Sequence, residues 1–300
     1  MEAIEAGVAG WLLALSALYL AQRWYDKKRA AEQRESLQAV ASGMALMTAM
    51  QQHRGMAAAL LNGDVSFAGR LAGKQQDVER ALAALDDSFT RIRMFALLAR
   101  RLEEIRSGWR KLCQQVQGLS PEKSFAAHTE LVQLVLYLLG DMGERGGLLE
   151  AHAPELAAMA DALLLRIPPL TESIGQARAL GTGFAAKGGC GAVGRVRLNF
   201  LVRRIRDGLD GALSEHPRLA ARAQECRYKV NALLVLIETR LLGVEQVDLA
   251  PDFYFRSATE AIDACLALWQ AGEQVMRNEL LSGASSTVAE PGTAASVRVG

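Results

Sequence analysis

The first 120 residues contain no proline. Proline removes a backbone donor and its ring clashes with the preceding helical turn, so a stretch of this length without one is free to be helix almost throughout. Its composition points the same way. Apolar residues make up 50% of the 300-residue chain, many of them Ala and Leu, whereas aromatics make up only 6%; this balance favours helix packing over the β-branched and aromatic faces of sheets. From Pro121 onward, seven prolines punctuate the chain at intervals suited to helices joined by short loops. The expected fold class is all-α, with helices near 30–62, 66–117 (broken once), 122–140, 147–166, 168–186, 191–214, 217–243 and 254–281. "SPEKSF" and "SEHPRLA" read as Ser-capped helix starts, "LNGD" and "LGDMGERGG" as stops. A chain this long can bury its core in one large domain or two packed ones without disulfide staples.

The N-terminus differs from the rest. "AGVAGWLLALSALYLA", residues 6–21, carries no charge and is followed by "QRWYDKKRAAEQR". The run is shorter than the ~20 residues a spanning helix usually needs, and a core helix is the alternative; Trp24 and Tyr25 suit interfacial anchors, and Gln22 and Arg23 can snorkel. The n-region carries Glu2 and Glu5 and no clear A-x-A site follows, so a cleaved signal peptide fits worse. The expectation is a transmembrane anchor with a basic flank over residues 1–29. No Lys or Arg precedes the run, while Arg23, Lys27, Lys28, Arg29 and Arg34 follow it, so the positive-inside rule gives a single pass through the inner membrane with the domain in the cytoplasm. Residues 30–281 form that domain, and 282–300, lacking apolar periodicity, read as a disordered tail.

Several functions lose support. Net charge is +1, from 34 basic and 33 acidic side chains, so no global field draws in nucleic acid. Cys113, Cys190, Cys226 and Cys265 are far apart, without a C-x-x-C pair, and read as reduced thiols. "GGCGAVG" contains a formal G-x-G-x-x-G but has helical periodicity on both sides, so it reads as a helix connection; Lys187 lacks a phosphate-loop setting. His53, His128, His152 and His216 are scattered and read as surface or loop residues. No catalytic residue, metal site or cofactor is expected.

What stands out is arginine among apolar residues. In "MQQHRGMAAALLNGD", residues 50–64, helical spacing puts Met47, Gln51, Arg54, Ala58 and Leu61 on one stripe. A buried guanidinium needs a carboxylate, a route to water or an exchangeable anion. "IGQARALGTGFAAKG", residues 174–188, echoes it 124 residues on, superposing Gln52 on Gln176 and Arg54 on Arg178. That fits two similar helical bundles, although two Ala-rich helices can also match by chance. Arg240, between Leu236 and Val244 at four-residue spacing, also faces a partly apolar stripe. A guanidinium fork matches a small planar oxyanion in shape and charge.

"LMTAMQQHRGMAAALLNGD", "ESIGQARALGTGFAAKG" and "APDFYFRSATEAIDACLALW" resemble, in this order, the opening helix, the start of the second half and the closing helix of the nitrate- and nitrite-sensing (NIT) domain family, over residues 40–281. The resemblance implies two four-helix bundles side by side. It implies nitrate or nitrite as ligand, with Arg54 and Arg178 as the anion-binding arginines of the two halves and Arg240 as a third. Many relatives have Glu where His53 stands. No output module follows residue 281, so a sensor of this kind would signal through its first helix, the membrane, a homodimer interface or a separate signalling protein. The competing expectation is a helical interaction module that recruits a partner at the membrane and binds no anion.

Overall fold

The computed structural model describes residues 2–150, 154–212 and 217–282, apart from the side chains of residues 2–9, 154, 155 and 282. The expected tail past residue 282 lies outside the described residues, as do His152 and His216. Among the described residues every regular element is helical.

Helix α1 spans Glu2–Leu61, sixty residues without a break, as the missing prolines allow. A helix of that length reaches about 90 Å. Its first third stands clear of the domain, with Trp11, Leu12, Leu13, Leu15, Leu18, Tyr19 and Leu20 all exposed. The transmembrane anchor expected over residues 6–21 is not supported. Its first residues, up to 9, fall outside the described side chains, and among the described residues no helix is long and apolar enough to cross a membrane. The described part of the run, residues 10–21, is twelve residues long, fewer than the ~20 a spanning helix needs.

From Ser36 onward α1 becomes a structural member of two bundles. Ser36, Ala39, Leu46, Met50, His53 and Ala57 are buried at alternating three- and four-residue steps or multiples of them, and so are Leu37, Val40, Met44, Met47, Gln51 and Arg54. These are two adjacent seams of heptad type. The first faces α4: a side chain at Gly43 would collide with Leu139, at 2.8 Å, and Met142, at 3.0 Å. The second faces the other bundle.

The first bundle comprises α1, α2 (Phe67–Arg91), α3 (Ala99–Gln115) and α4 (Pro121–Arg145). The break expected within 66–117 is the 3₁₀ turn Arg93–Leu98. Helix α4 starts as "SPEKSF" predicts, with Pro121 in its first turn and the Ser120 hydroxyl accepting from the Lys123 amide. In the second half, α5 (Pro154–Asp161) runs through a π turn (Ala162–Arg166) into α6 (Ile167–Lys187). Then come α7 (Ala192–Ala212), α8 (Ala220–Ile237), a second π turn (Glu238–Leu242) and α9 (Pro251–Ser282). Helix α6 packs against α7 and α9, and α8 against α9, giving the second four-helix bundle. The seam between bundles is made by α1 against α6 and α9, and by α4 against α6.

"GGCGAVG" is a connection between helices, as expected: Gly188 caps α6 in the left-handed region at φ 69°, where a side chain would be strained. All four cysteines are free thiols, with Cys226 Sγ and Cys265 Sγ 3.3 Å apart between α8 and α9.

Candidate functional site

Arg54 points out of the first bundle into the seam, where α6 meets it with Glu172. Both side chains are almost fully buried, at 2% and 5% exposure. The contact is bidentate: Nη1 donates to Oε1 at 2.6 Å and Nη2 to Oε2 at 3.0 Å. Gln51 Nε2 donates to Oε2 and Gln176 Nε2 to Oε1, each at 2.8 Å. The carboxylate therefore receives four N–H donors, enough to satisfy its lone pairs. Among the described residues this is the ion pair with both partners buried; such a pair holds only with near-complete hydrogen bonding of this kind.

Arg54 is also held from α4. Nη1 donates to Thr129 Oγ1 at 3.0 Å, and the guanidinium lies 5.1 Å from the centre of the Phe125 ring. The Thr129 hydroxyl gives its own proton to the Phe125 carbonyl, at 2.8 Å, so its oxygen is left to accept. Arg178 on α6 repeats this setting. Its Nη1 donates to Thr259 Oγ1 at 3.0 Å, its guanidinium lies 4.8 Å from the Phe255 ring, and Thr259 donates to the Phe255 carbonyl. The sequence carries this repeat openly. Residues 121–130, "PEKSFAAHTE", and 251–260, "PDFYFRSATE", share Pro, an acid, Phe, Thr and Glu at the same steps. The internal duplication is thus expressed as two arginine, threonine and phenylalanine sets, one at the head of each bundle.

The two sets lie together. A side chain at Gly175 would come within 3.0 Å of Arg54 Nη2, and one at Gly55 within 3.9 Å of Arg178 Nη2. Burial and the charge of Arg54 pull the pKa of Arg178 down to about 10, opposed by Asp263 and Glu172. Arg178 still carries its charge at neutral pH.

The sets differ in one respect. At the offset of 124 residues, the place of Glu172 is taken by Thr48, which donates to the Met44 carbonyl of its own helix. Among the described residues Arg178 makes no ion pair.

Arg240 does not join them. It is exposed and donates Nη2 to the Asp248 carbonyl at 2.7 Å. Four-residue spacing suggested an apolar stripe, but Arg240 sits in the π turn Glu238–Leu242. The helix ends at Leu242, before Val244, and the wider π turn takes Arg240 off the line continued from Leu236, so the three do not form one stripe.

Behind Arg54 lies a feature that the scattered histidines did not suggest. His53 and His128 are fully buried, contrary to the surface or loop positions expected, because each falls on the inward seam of its helix. His128 Nδ1 donates to the Ser124 carbonyl at 2.7 Å, so its Nε2 accepts from His53 Nδ1, also at 2.7 Å. His53 Nε2 is then a buried nitrogen without a partner, with the Trp109 ring 4.8 Å from the imidazole. Burial and the neighbouring His128 lower the pKa of His53 to about 3; burial, with Arg54 nearby, lowers that of His128 to about 4. Both are neutral and add no charge beside Arg54. Among the described residues no group of His, Cys, Asp and Glu could hold a metal ion.

A cleft of about 360 Å³ opens nearby between α1, α2 and α9, lined by Met44, Thr48, Gln52 and Trp269 among others. The cation beside it, Lys74, is paired with Asp77 at 2.5 Å. The arginine pair is therefore the better-built place for an anion.

The sequence model of a family described as nitrate and nitrite sensing matches residues 45–279, which include both arginine sets and Glu172. The solved structure of the NasR transcription antiterminator is similar in fold, with a TM-score of 0.68 over 91% of this chain and 75% of that one, at 18% identity. Among curated proteins, none matches.

Proposed function

The chain belongs to the nitrate- and nitrite-sensing family, and from that premise we propose that it senses nitrate or nitrite by holding the anion at the seam between its bundles, with Arg54 and Arg178 as the binding groups. The observation that carries this is the duplicated arginine setting. Two guanidiniums, each steadied by a Thr hydroxyl and a Phe ring, come together from different halves of the fold. Two like charges in a partly dry seam repel, and an anion between them offsets that repulsion with charge-assisted hydrogen bonds. Binding would then alter how α6 sits on α1, and that rearrangement is the signal. No bond is made or broken, so the chain acts as a regulator and needs no catalytic group.

The output lies in a separate signalling protein or a second copy of the chain. The N-terminal part of α1 is the expected point of attachment. It is apolar on all sides between residues 11 and 20, a pattern that suits a lipid or protein environment better than water. Placement at the inner membrane with the domain in the cytoplasm is part of this proposal.

One observation favours the competing interaction module. Arg54 is ion-paired within the chain, as a purely structural arginine would be. Melting of the full chain in sodium nitrate, sodium nitrite and sodium chloride at equal ionic strength decides between them. A sensor gains stability as RT ln(1 + [L]/Kd) with nitrate or nitrite over chloride, and loses that gain when Arg178 is replaced by Ala. An interaction module shows the same melting temperature in all three salts.

A further inference from the structure

We propose that Glu172 is a built-in occupant of the anion site, whose carboxylate holds the fork of Arg54 and exchanges with the incoming oxyanion. This rests on the anion-sensing reading above and names how that site is regulated. A carboxylate and a nitrite or nitrate ion present the same thing to a guanidinium: coplanar oxygens sharing one negative charge. The donors around Glu172 are not specific for glutamate. Arg54 Nη1 and Nη2, Gln51 Nε2 and Gln176 Nε2 converge on two oxygens from three directions, and any small planar anion in the same place would meet the same four N–H groups.

The duplication shows that the carboxylate is an addition to the basic plan. Each half supplies an arginine, a threonine and a phenylalanine, but only the half containing α6 supplies the acid; the matching residue on α1 is Thr48. Arg178, half-buried, makes no ion pair among the described residues; Thr259 and Phe255 hold it, and Asp263 and Glu172 lie near enough to favour its charge.

Glu172 is also placed to convert exchange into movement. It comes from the other bundle and ties α6 to α1 through a buried contact across the seam. Six residues before it, the π turn ends and Pro168 and Pro169 follow, so the start of α6 has less regular backbone hydrogen bonding to hold its register. Release of Arg54 by Glu172 therefore frees α6 at the end where it is least constrained.

The test uses the full chain and two variants, Glu172→Gln and Glu172→Ala. Nitrate and nitrite affinities are measured by calorimetry, with chloride as control, and melting temperature is followed in sodium formate. Occupancy predicts that Glu172→Gln binds nitrate or nitrite at least tenfold tighter than the parent, because the competitor is gone while an isosteric amide remains. It also predicts that formate raises the melting temperature of Glu172→Ala more than that of the parent, where it must compete with the Glu172 carboxylate. If the parent binds nitrate and Glu172→Gln binds equally or more weakly, Glu172 is a positioning residue; the occupancy proposal is overturned and the sensor reading stands. If the parent ignores nitrate and nitrite while formate rescues Glu172→Ala, the occupancy proposal stands and the choice of those ions is wrong. If there is neither response, both fall.

Discussion

Acidification should unfold this protein through the His53–His128 pair. Both imidazoles are neutral in the folded chain, with pKa values of about 3 and about 4 against an ordinary 6.5. Between these limits the unfolded chain binds protons that the folded chain refuses, so stability rises with pH there. The contribution is complete above about pH 6.5 and is lost as pH falls toward 4. At pH 5 the solution is about 1.5 units below the unfolded pKa of each histidine and still above both folded values, so at about 1.4 kcal/mol per unit the two together withdraw roughly 4 kcal/mol. That is a large part of the stability of an ordinary domain. Urea unfolding at pH 7.5 and pH 5 measures the loss, and the double variant His53→Leu/His128→Leu supplies the reference. Replacing both partners by apolar groups of similar size removes the hydrogen bond without orphaning either nitrogen. The parent should lose roughly 4 kcal/mol more than the double variant over this interval. Equal losses in the two proteins would refute the reasoning, since other groups would then account for the whole pH response.

The two arginines should differ although their settings match. Arg54→Ala leaves Glu172 as a buried, unpaired carboxylate and should cost about 3–5 kcal/mol, whereas Arg178→Ala removes one charge-assisted hydrogen bond and should cost about 1.5 kcal/mol; chemical denaturation in chloride measures both. Gly175→Ala puts a methyl group 3.0 Å from Arg54 Nη2. It should lower stability by roughly 1–3 kcal/mol and weaken nitrate binding, read by melting and titration, while Gly183→Ala, where a Cβ meets nothing within 4 Å, serves as control.

Much of this architecture was legible in the chain. Missing prolines predicted long helices, and the Gln-x-Arg echo at 124 residues picked out Arg54 and Arg178, which the fold brings close together. The other half of the duplication was harder to see. Helices α4 and α9 repeat at an offset of 130, so a search at the first offset misses Phe125, Thr129, Phe255 and Thr259; connections of different length shift the register by six. Glu172 could not be read at all, because nothing local distinguishes an acid in "PPLTESIGQAR" from a solvated one when its partner is 118 residues away. Arg240 misled for the opposite reason: its apolar neighbours were real, but a π turn breaks the periodicity on which the inference relied.

Helix α1 joins the apolar N-terminal stretch to Arg54 with no proline between them. Forty-three residues separate Trp11 from Arg54, about 65 Å at helical rise. A helix resists changes in length far more than it resists bending, so α1 behaves along its axis as a push rod. An axial shift or a turn imposed where Glu172 grips Arg54 has no joint in which to dissipate. It arrives at the far end at nearly full amplitude, and a receiver placed there could respond without touching the anion site.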